Sequence, residues 1–287
     1  MKPVSPIWRM LAVAVAVVWT LVPMYWTLKF AFETHSEIAH FPPLLVPPHP
    51  QIGAFFNIFG MDYKLNDGTV LKASGQAHQI MLGLRNSLIV ACVVTVITSL
   101  VVVPLSYIFA RLDFPLKSKL LAAVLLSVSL PPVSTLIPFY SLYVQLKLVG
   151  TLTGLIIITL TITIPLVAWM LIGFFRNLPP IENLGRIDGF SQLYIFARIV
   201  VPMARGGVIV AAVIAFLFSW NEYVYAQVLV TGSDAVTLPA AMSGFLFQVP
   251  QPEQLAASLA ISLVPPFIIA FFIQNHIAGM SFSDPVR

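Results

Sequence analysis

Charge is what this chain has least of. Only 9% of its 287 residues are Asp, Glu, Lys or Arg, whereas 59% are Ala, Val, Ile, Leu, Met, Phe, Trp, Tyr or Cys. A soluble domain keeps its surface wet with roughly 25% charged residues, so an ordinary water-soluble globule is excluded. The mean hydropathy of +0.93 agrees, and it excludes intrinsic disorder as well. There is one cysteine, Cys92, so no disulfide framework exists and the redox compartment cannot be read. Several chemistries are also missing. The sequence contains no Gly-x-x-x-x-Gly-Lys-Ser/Thr loop to hold nucleotide phosphates, no Gly-x-Ser-x-Gly, no His-Glu-x-x-His and no paired catalytic acids. It has no catalytic residues of a familiar kind and cannot hydrolyse ATP by itself.

What is present is a series of long gaps between charges. Arg9 to Lys29 encloses 19 uncharged residues, Arg85 to Arg111 encloses 25, Lys119 to Lys147 encloses 27, Lys147 to Arg176 encloses 28, and Glu253 to Asp284 encloses 30. Between Arg205 and Asp234 lie 28 residues broken once, by Glu222. A helix needs about 20 apolar residues to cross the hydrocarbon layer. The expected fold is therefore all-α and polytopic, a single transmembrane domain over 1–287 with about six spans, near 8–30, 87–110, 120–146, 152–175, 206–230 and 255–275.

Basic residues stay on the cytoplasmic side during insertion. With the N-terminus inside, Lys2, Arg9, Arg111, Lys117, Lys119, Arg176, Arg186, Arg198, Arg205 and Arg287 fall inside, against Lys29, Lys64, Lys72, Arg85 and Lys147 outside. Both termini are thus expected in the cytoplasm of a multi-pass inner-membrane protein. The net charge of +4 reads as inside-positive polarity facing lipid, and no nucleic-acid partner is implied. The first span resembles a signal sequence but is long and lacks a small-residue cleavage site, so it reads as a retained anchor.

Residues 31–84 form an expected extracytoplasmic loop. Its stretch Phe41-Pro42-Pro43-Leu44-Leu45-Val46-Pro47-Pro48-His49-Pro50 cannot be a helix interior and is expected to run extended. A second outer loop covers 232–254. Pro104, Pro131, Pro132, Pro138, Pro165 and Pro265-Pro266 lie inside spans, where proline is tolerated if neighbours or water satisfy the freed carbonyls. Glu33, His35, Glu37 and His40 sit close together, yet their spacing fits no familiar metal-ligand set, so no metal site is assigned.

The inside segment 176–205 is the informative one. Pro179-Pro180 opens a short helix on which Ile181, Leu184 and Ile187 recur at three-residue spacing. Asp188-Gly189 breaks it, because glycine accepts a left-handed conformation without steric cost. A second short helix carries Leu193, Phe196 and Ile199 or Val200 on one side until Pro202 stops it. Two amphipathic pieces joined at a sharp corner make a knuckle that another protein can grip.

Together these residues resemble the carbohydrate-type, binding-protein-dependent ABC importer permeases, of the second maltose permease and glycerol-phosphate permease kind. The family's loop carries a Glu-Ala-Ala tripeptide, two further residues, Asp-Gly and a later Pro. Here Arg186-Ile187-Asp188-Gly189, Phe196 and Pro202 match in spacing, while the tripeptide positions hold Asn183, Leu184 and Gly185, next to Glu182. Asn86-Ser87-Leu88, Arg111-Leu112-Asp113-Phe114-Pro115, Pro131-Pro132, Ile137-Pro138 and Ser219-Trp220-Asn221-Glu222-Tyr223 extend the likeness over about 86–280. The resemblance implies a type I importer permease fold. It also implies a cytoplasmic ATP-binding subunit dimer holding ATP and Mg, a second homologous permease and an extracytoplasmic solute-binding protein as partners. By the same resemblance, 176–205 is a coupling loop that contacts the ATPase through Glu182, Asn183, Leu184, Gly185, Ile187, Asp188, Gly189 and Phe196.

Glu222 is the one acid expected within a span, roughly 24 Å above the inner boundary at about 1.5 Å per residue. With Asn221 it lines the substrate path, holds a gate, or makes a structural hydrogen bond to a neighbouring helix. Two other classes of function stay open on residues alone. A secondary transporter or channel predicts more buried ionisable groups than Glu222. An integral membrane enzyme would use the outer His and Glu residues.

Overall fold

The computed structural model describes residues 6–65 and 67–278 of the chain. Lys2 and Arg287, which contributed to the expected side of the termini, and the last positions of the family-like stretch lie outside the described residues. Helix dominates: α1 runs Pro6–Phe30, α2 His35–Ile38 and α3 Gly53–Ile58, followed by two short strands, β1 Tyr63–Lys64 and β2 Val70–Leu71. Next come α4 Ala77–Arg111, α5 Lys117–Ser129, α6 Pro132–Gln145, α7 Leu152–Arg176, α8 Glu182–Ile187 and α9 Gln192–Ile195. The chain continues through a π turn over Phe196–Val200 into α10 Val201–Met203, then α11 Arg205–Trp220, α12 Val224–Leu229 and α13 Leu238–Met242. Last are α14 Gly244–Phe247, α15 Pro252–Ser262 and α16 Val264–Ala278.

Among the described residues, five helical stretches are long and apolar enough to cross a membrane: Ile7–Phe30, Ala77–Arg111, Leu152–Arg176, Arg205–Leu229 and Pro252–Gln274. The α5–α6 pair makes a sixth if counted as one span. That pair corrects the expectation of one continuous span over 120–146, because its two halves meet at 94°. The cause is Pro131-Pro132. A residue before proline is pushed out of the helical region, and both Leu130 (ψ 123°) and Pro131 (ψ 133°) are extended, after which Pro132 starts α6. The span expected over 206–230 is likewise interrupted after Trp220, and α4 begins at Ala77, nearly three turns before the expected onset at Ser87. Residues 31–84 are not plain loop: they contain α2, α3 and an antiparallel strand pair with Tyr63 opposite Leu71 and Lys64 opposite Val70.

The chain divides into two compact units. The first is Met1–Met81 with Ala241–Val264. In it α15 packs on α1, α2 and α3. The end of α1 buries Lys29 and Glu33 one turn apart, with Lys29 Nζ 2.9 Å from Glu33 Oε1 and 4.6 Å from the centre of the Trp26 ring. A charge this deep persists only when paired, and the aromatic face adds cation–π attraction. The proline-rich stretch forms no helix, as its missing donors dictate. Its end is fastened by Gln51, whose backbone N–H donates to Phe32 O and whose Nε2 donates to Glu33 O, each at 2.9 Å.

The second unit is Leu82–Ala240 with Pro265–Arg287. Its centre is α7, which packs against α5, α11 and α12. Leu155, Ile158, Val167, Ala168, Leu171 and Phe175 recur on one face at three- and four-residue spacing and are buried. Thr159 and Thr163 share that face at no polar cost, since each hydroxyl donates to the carbonyl one turn back at 2.7 Å. The core of Val102, Tyr107, Val167, Leu171 and Phe175 continues into Ile195 and Val200, so the segment after α7 is seated on the bundle.

Candidate functional site

Between α7 and α11 the chain makes the corner expected from Asp188-Gly189. Gly189 has φ +82°, its N–H donates to Arg186 O at 3.0 Å, and Phe190 N–H donates to Gly185 O at 3.0 Å. These two bonds satisfy the last carbonyls of α8 in the manner of a Schellman motif, which requires a left-handed residue where Gly189 stands. Ser191 Oγ then accepts from Tyr194 N–H at 3.3 Å and starts α9. Pro202 does not stop the second helix, contrary to the expectation. The π turn before it lets Val201 N–H reach Phe196 O, five residues back, and the widened turn makes room for the proline ring.

Two contacts hold the corner to the bundle. Gly185 is buried against Ile195, so the isoleucine side chain of α9 packs directly on the backbone of α8. Phe196 turns inward, its ring 4.9 Å from that of Tyr107 on α4. Sequence reasoning counted Arg111, the last residue of α4, among the inside charges and in a family-like motif, but gave it no partner. Its Nη2 donates to Leu178 O at 2.5 Å and Pro179 O at 3.1 Å, and its Nε lies 3.4 Å from Glu182 Oε1. The guanidinium fork thereby ties the end of one span to the entry of α8. Its place in Arg111-Leu112-Asp113-Phe114-Pro115, just before a helix break, was the available signal.

Of the residues read as coupling contacts, Glu182, Gly185 and Phe196 face the protein, while Asn183, Leu184, Ile187, Asp188 and Gly189 are exposed. The exposure of Leu184 (64%) and Ile187 (82%) joins that of Leu193, Phe190 and Tyr194, the last two stacked at 4.8 Å. An apolar patch therefore surrounds a fixed corner.

A second feature lies where α11 breaks. Asn221 and Glu222 sit in that break, and neither carboxylate oxygen of Glu222 is free: Oε1 accepts from Tyr225 N–H at 2.8 Å and Oε2 from Ala226 N–H at 2.9 Å. Glu222 thus caps α12, a bond within its own span and not to a neighbouring helix. Asn221 Nδ2 donates to Leu217 O at 2.8 Å. Tyr225 OH meets Thr135 Oγ1 at 2.6 Å, joining α12 to the start of α6. A cavity of about 500 Å³ opens here, with Pro132, Phe218, Asn221, Glu222, Tyr223 and Tyr225 in its wall. The Pro131-Pro132 bend and the α11–α12 break both border it, as expected where irregular backbone inside a membrane lines a cavity.

The His and Glu residues near the end of α1 are each engaged elsewhere. Glu33 pairs with Lys29, His35 with Glu253 at 3.2 Å, Glu37 with His49 at 3.2 Å, and His40 Nδ1 lies 3.0 Å from Pro42 O. Among the described residues no three His, Cys, Asp or Glu side chains gather as a metal site.

Residues 102–279 match the family described as binding-protein-dependent transport system inner membrane component. The trehalose transport system permease protein SugB of Mycobacterium tuberculosis is 30% identical over 203 residues, 69% of this chain and 74% of that protein. A probable ABC transporter permease protein of Pyrococcus horikoshii is 34% identical over 69% of this chain and 73% of its own length. The sulfoquinovosyl glycerol transport system permease protein SmoH of Agrobacterium fabrum is 27% identical over 94% of this chain and 90% of its own length. In fold, the chain is similar to a bacterial ABC transporter involved in the import of the acidic polysaccharide alginate, with a TM-score of 0.73 over 96% of this chain and 99% of that one at 15% identity. These relatives bear out the likeness to carbohydrate-type permeases read from the motifs. The chain belongs to the binding-protein-dependent transport system inner membrane component family: it is a multi-pass permease subunit of an ABC importer, a transport protein that works with an ATPase and a substrate-binding protein.

Proposed function

We propose that this permease carries a sugar, polyol or glycerol-phosphate solute inward, and that the corner of 176–205 docks on the cytoplasmic ATPase. The supporting names among its relatives are trehalose, sulfoquinovosyl glycerol and diacetylchitobiose transport permeases. Both termini lie in the cytoplasm. A second, homologous permease completes the path, and a dimer of ATP-binding subunits carries ATP and Mg. An extracytoplasmic solute-binding protein delivers the solute.

One observation carries the coupling role: Leu184, Ile187 and Leu193 are exposed around a corner whose backbone is fixed by Gly189 and anchored by Arg111. Apolar side chains held out on a rigid support mark a surface that a partner covers. A stiff corner also transmits displacement, provided the partner contacts it differently in its two states. The cavity beside Asn221 and Glu222 lies along the path, with Tyr223, Tyr225 and Phe218 offering ring faces and a hydroxyl to a passing sugar.

The test replaces Gly189 with valine, which the left-handed backbone rejects. Membrane insertion persists while ATP-driven uptake is lost. Uptake and ATPase stimulation at wild-type levels would remove the coupling role.

A further inference from the structure

The proline-rich stretch of the first unit carries an exposed apolar surface that neither the corner nor the path uses. Phe41 is 89% exposed, Leu45 72% and Val46 69%. No Asp, Glu, Lys or Arg occurs from Ile38 to Met61, so no fixed charge holds this stretch in bulk water. Apolar side chains gathered in the open mark a surface that a partner protein or a membrane covers.

One bond decides between the two. Tyr25 OH donates to Leu45 O at 2.5 Å. Tyr25 stands five residues before Phe30, the last residue of α1, which is about 7.5 Å along the axis. Helical side chains lean toward the N-terminus, so this hydroxyl lies no nearer the end of α1 than its own backbone does. The chain after α2 therefore runs back beside the last turns of α1, and it returns at Gln51, whose bonds to Phe32 O and Glu33 O close the loop. Counted from the other end, Tyr25 is 16 residues beyond Arg9, about 24 Å into a hydrocarbon layer of about 30 Å. Leu45 is thus held at the rim of the acyl chains. Tyr25 and its neighbour Trp26 are residue types that favour that level. Trp19, Leu21 and Val22, earlier on α1, are exposed as well, so Leu45 and Val46 continue the bare apolar surface of a span.

The backbone suits the same place. Lipid rejects amide donors that have no partner, and Pro42, Pro43, Pro47, Pro48 and Pro50 have none to satisfy. The tyrosine hydroxyl serves the Leu45 carbonyl. The N–H groups that remain keep the backbone at the hydrated headgroup level, while the apolar side chains reach further.

We propose that residues 41–48 dip into the lipid leaflet at the end of α1, with the backbone among the headgroups and Phe41, Leu45 and Val46 among the upper acyl methylenes. In the orientation proposed above this is the outer leaflet. The proposal rests on α1 being a span and not on the solute or the coupling corner.

The experiment attaches an environment-sensitive fluorophore to Leu45→Cys or Val46→Cys, each in a Cys92→Ser background, in the assembled importer in nanodiscs of phosphatidylcholine and phosphatidylglycerol. Lys64→Cys, an exposed position on β1, is the aqueous reference. Leu45 and Val46 are exposed, so neither cysteine disturbs packing. At both positions iodide in the buffer quenches about fivefold less than at the reference, and lipid spin-labelled near the headgroup quenches more than lipid labelled at the chain end. Iodide quenching equal to that at the reference would overturn the proposal by placing the stretch in water. Protection from iodide without quenching by either lipid would overturn it too, by showing that a protein partner covers the stretch.

Discussion

A side chain on Gly185 would collide with Ile195: a Cβ built there stands 2.9 Å from both Cδ1 and Cγ1 of the isoleucine. The family's tripeptide has alanine at this place, so the glycine here is matched to the isoleucine that fills the gap. Gly185→Ala should destabilise the corner by about 1–3 kcal/mol through overpacking. Ile195→Val alone should cost about 0.5–1.5 kcal/mol. In the double variant the two costs should fall short of adding, since valine lacks Cδ1 and removes one of the two close approaches while its retained Cγ keeps the other. Thermal unfolding of the four proteins measures the cycle, and full additivity would mean that the two residues do not share the contact.

Arg111 is the tie between α4 and the entry of α8. Arg111→Ala removes charge-assisted bonds of about 1.5–3 kcal/mol each way of counting and leaves the carbonyls of Leu178 and Pro179 unserved. Hydrogen exchange over 178–190 should quicken while α7 stays protected. Arg111→Lys should recover only part, because a point charge cannot reproduce the fork. Equal protection in Arg111→Ala and wild type would show that the Gly185–Ile195 and Phe196–Tyr107 contacts hold the corner without Arg111.

The corner was legible because glycine and proline state backbone geometry directly: Gly189 required a left-handed turn, and a left-handed turn is present. Which side of α8 faces the bundle was not legible. Periodicity marked Leu184 and Ile187 as the apolar side, and an isolated sequence gives no way to tell a stripe buried in its own fold from one held out for a partner. Glu182 and Arg111 were both noticed, but their pairing is a contact across many residues of chain and has no local signal. The 94° bend misled for a related reason. A run of uncharged residues measures length, and Pro131-Pro132 redirects that length without adding a charge.

Glu222 separates two roles that the sequence left together. As the cap of α12 it should lose about 0.5–2 kcal/mol on replacement by alanine. Glu222→Gln keeps one acceptor oxygen and should lose less. If the path reading holds, uptake by Glu222→Gln falls by more than its stability does, as measured by uptake in vesicles against thermal unfolding of the same preparation. Uptake that tracks stability in both variants would confine Glu222 to capping.

Glu37 supplies a pH dependence outside the spans. Burial raises its pKa, but donation from the Thr34 N–H and hydroxyl and the contact with His49 outweigh it, and the carboxyl is held below its ordinary value. A carboxyl depressed in the folded state stabilises above its unfolded pKa and loses that contribution as pH falls through the folded value. Exchange protection over 34–40 should therefore decline only on the acid side of the usual carboxylate range. In Glu37→Gln that protection should be lower at neutral pH and flat toward acid. An unchanged acid decline in the variant would assign the transition to another group.

The most direct test of the coupling corner is a cross-link. With Cys92→Ser as background, Ile187→Cys places a lone thiol on the most exposed apolar residue of the corner that α8 carries. In the assembled importer this thiol should be shielded from a bulky maleimide, should cross-link to the ATP-binding subunit, and the linked complex should no longer take up solute. Free labelling of Ile187→Cys in an assembly that still accumulates solute at the wild-type rate would contradict the account.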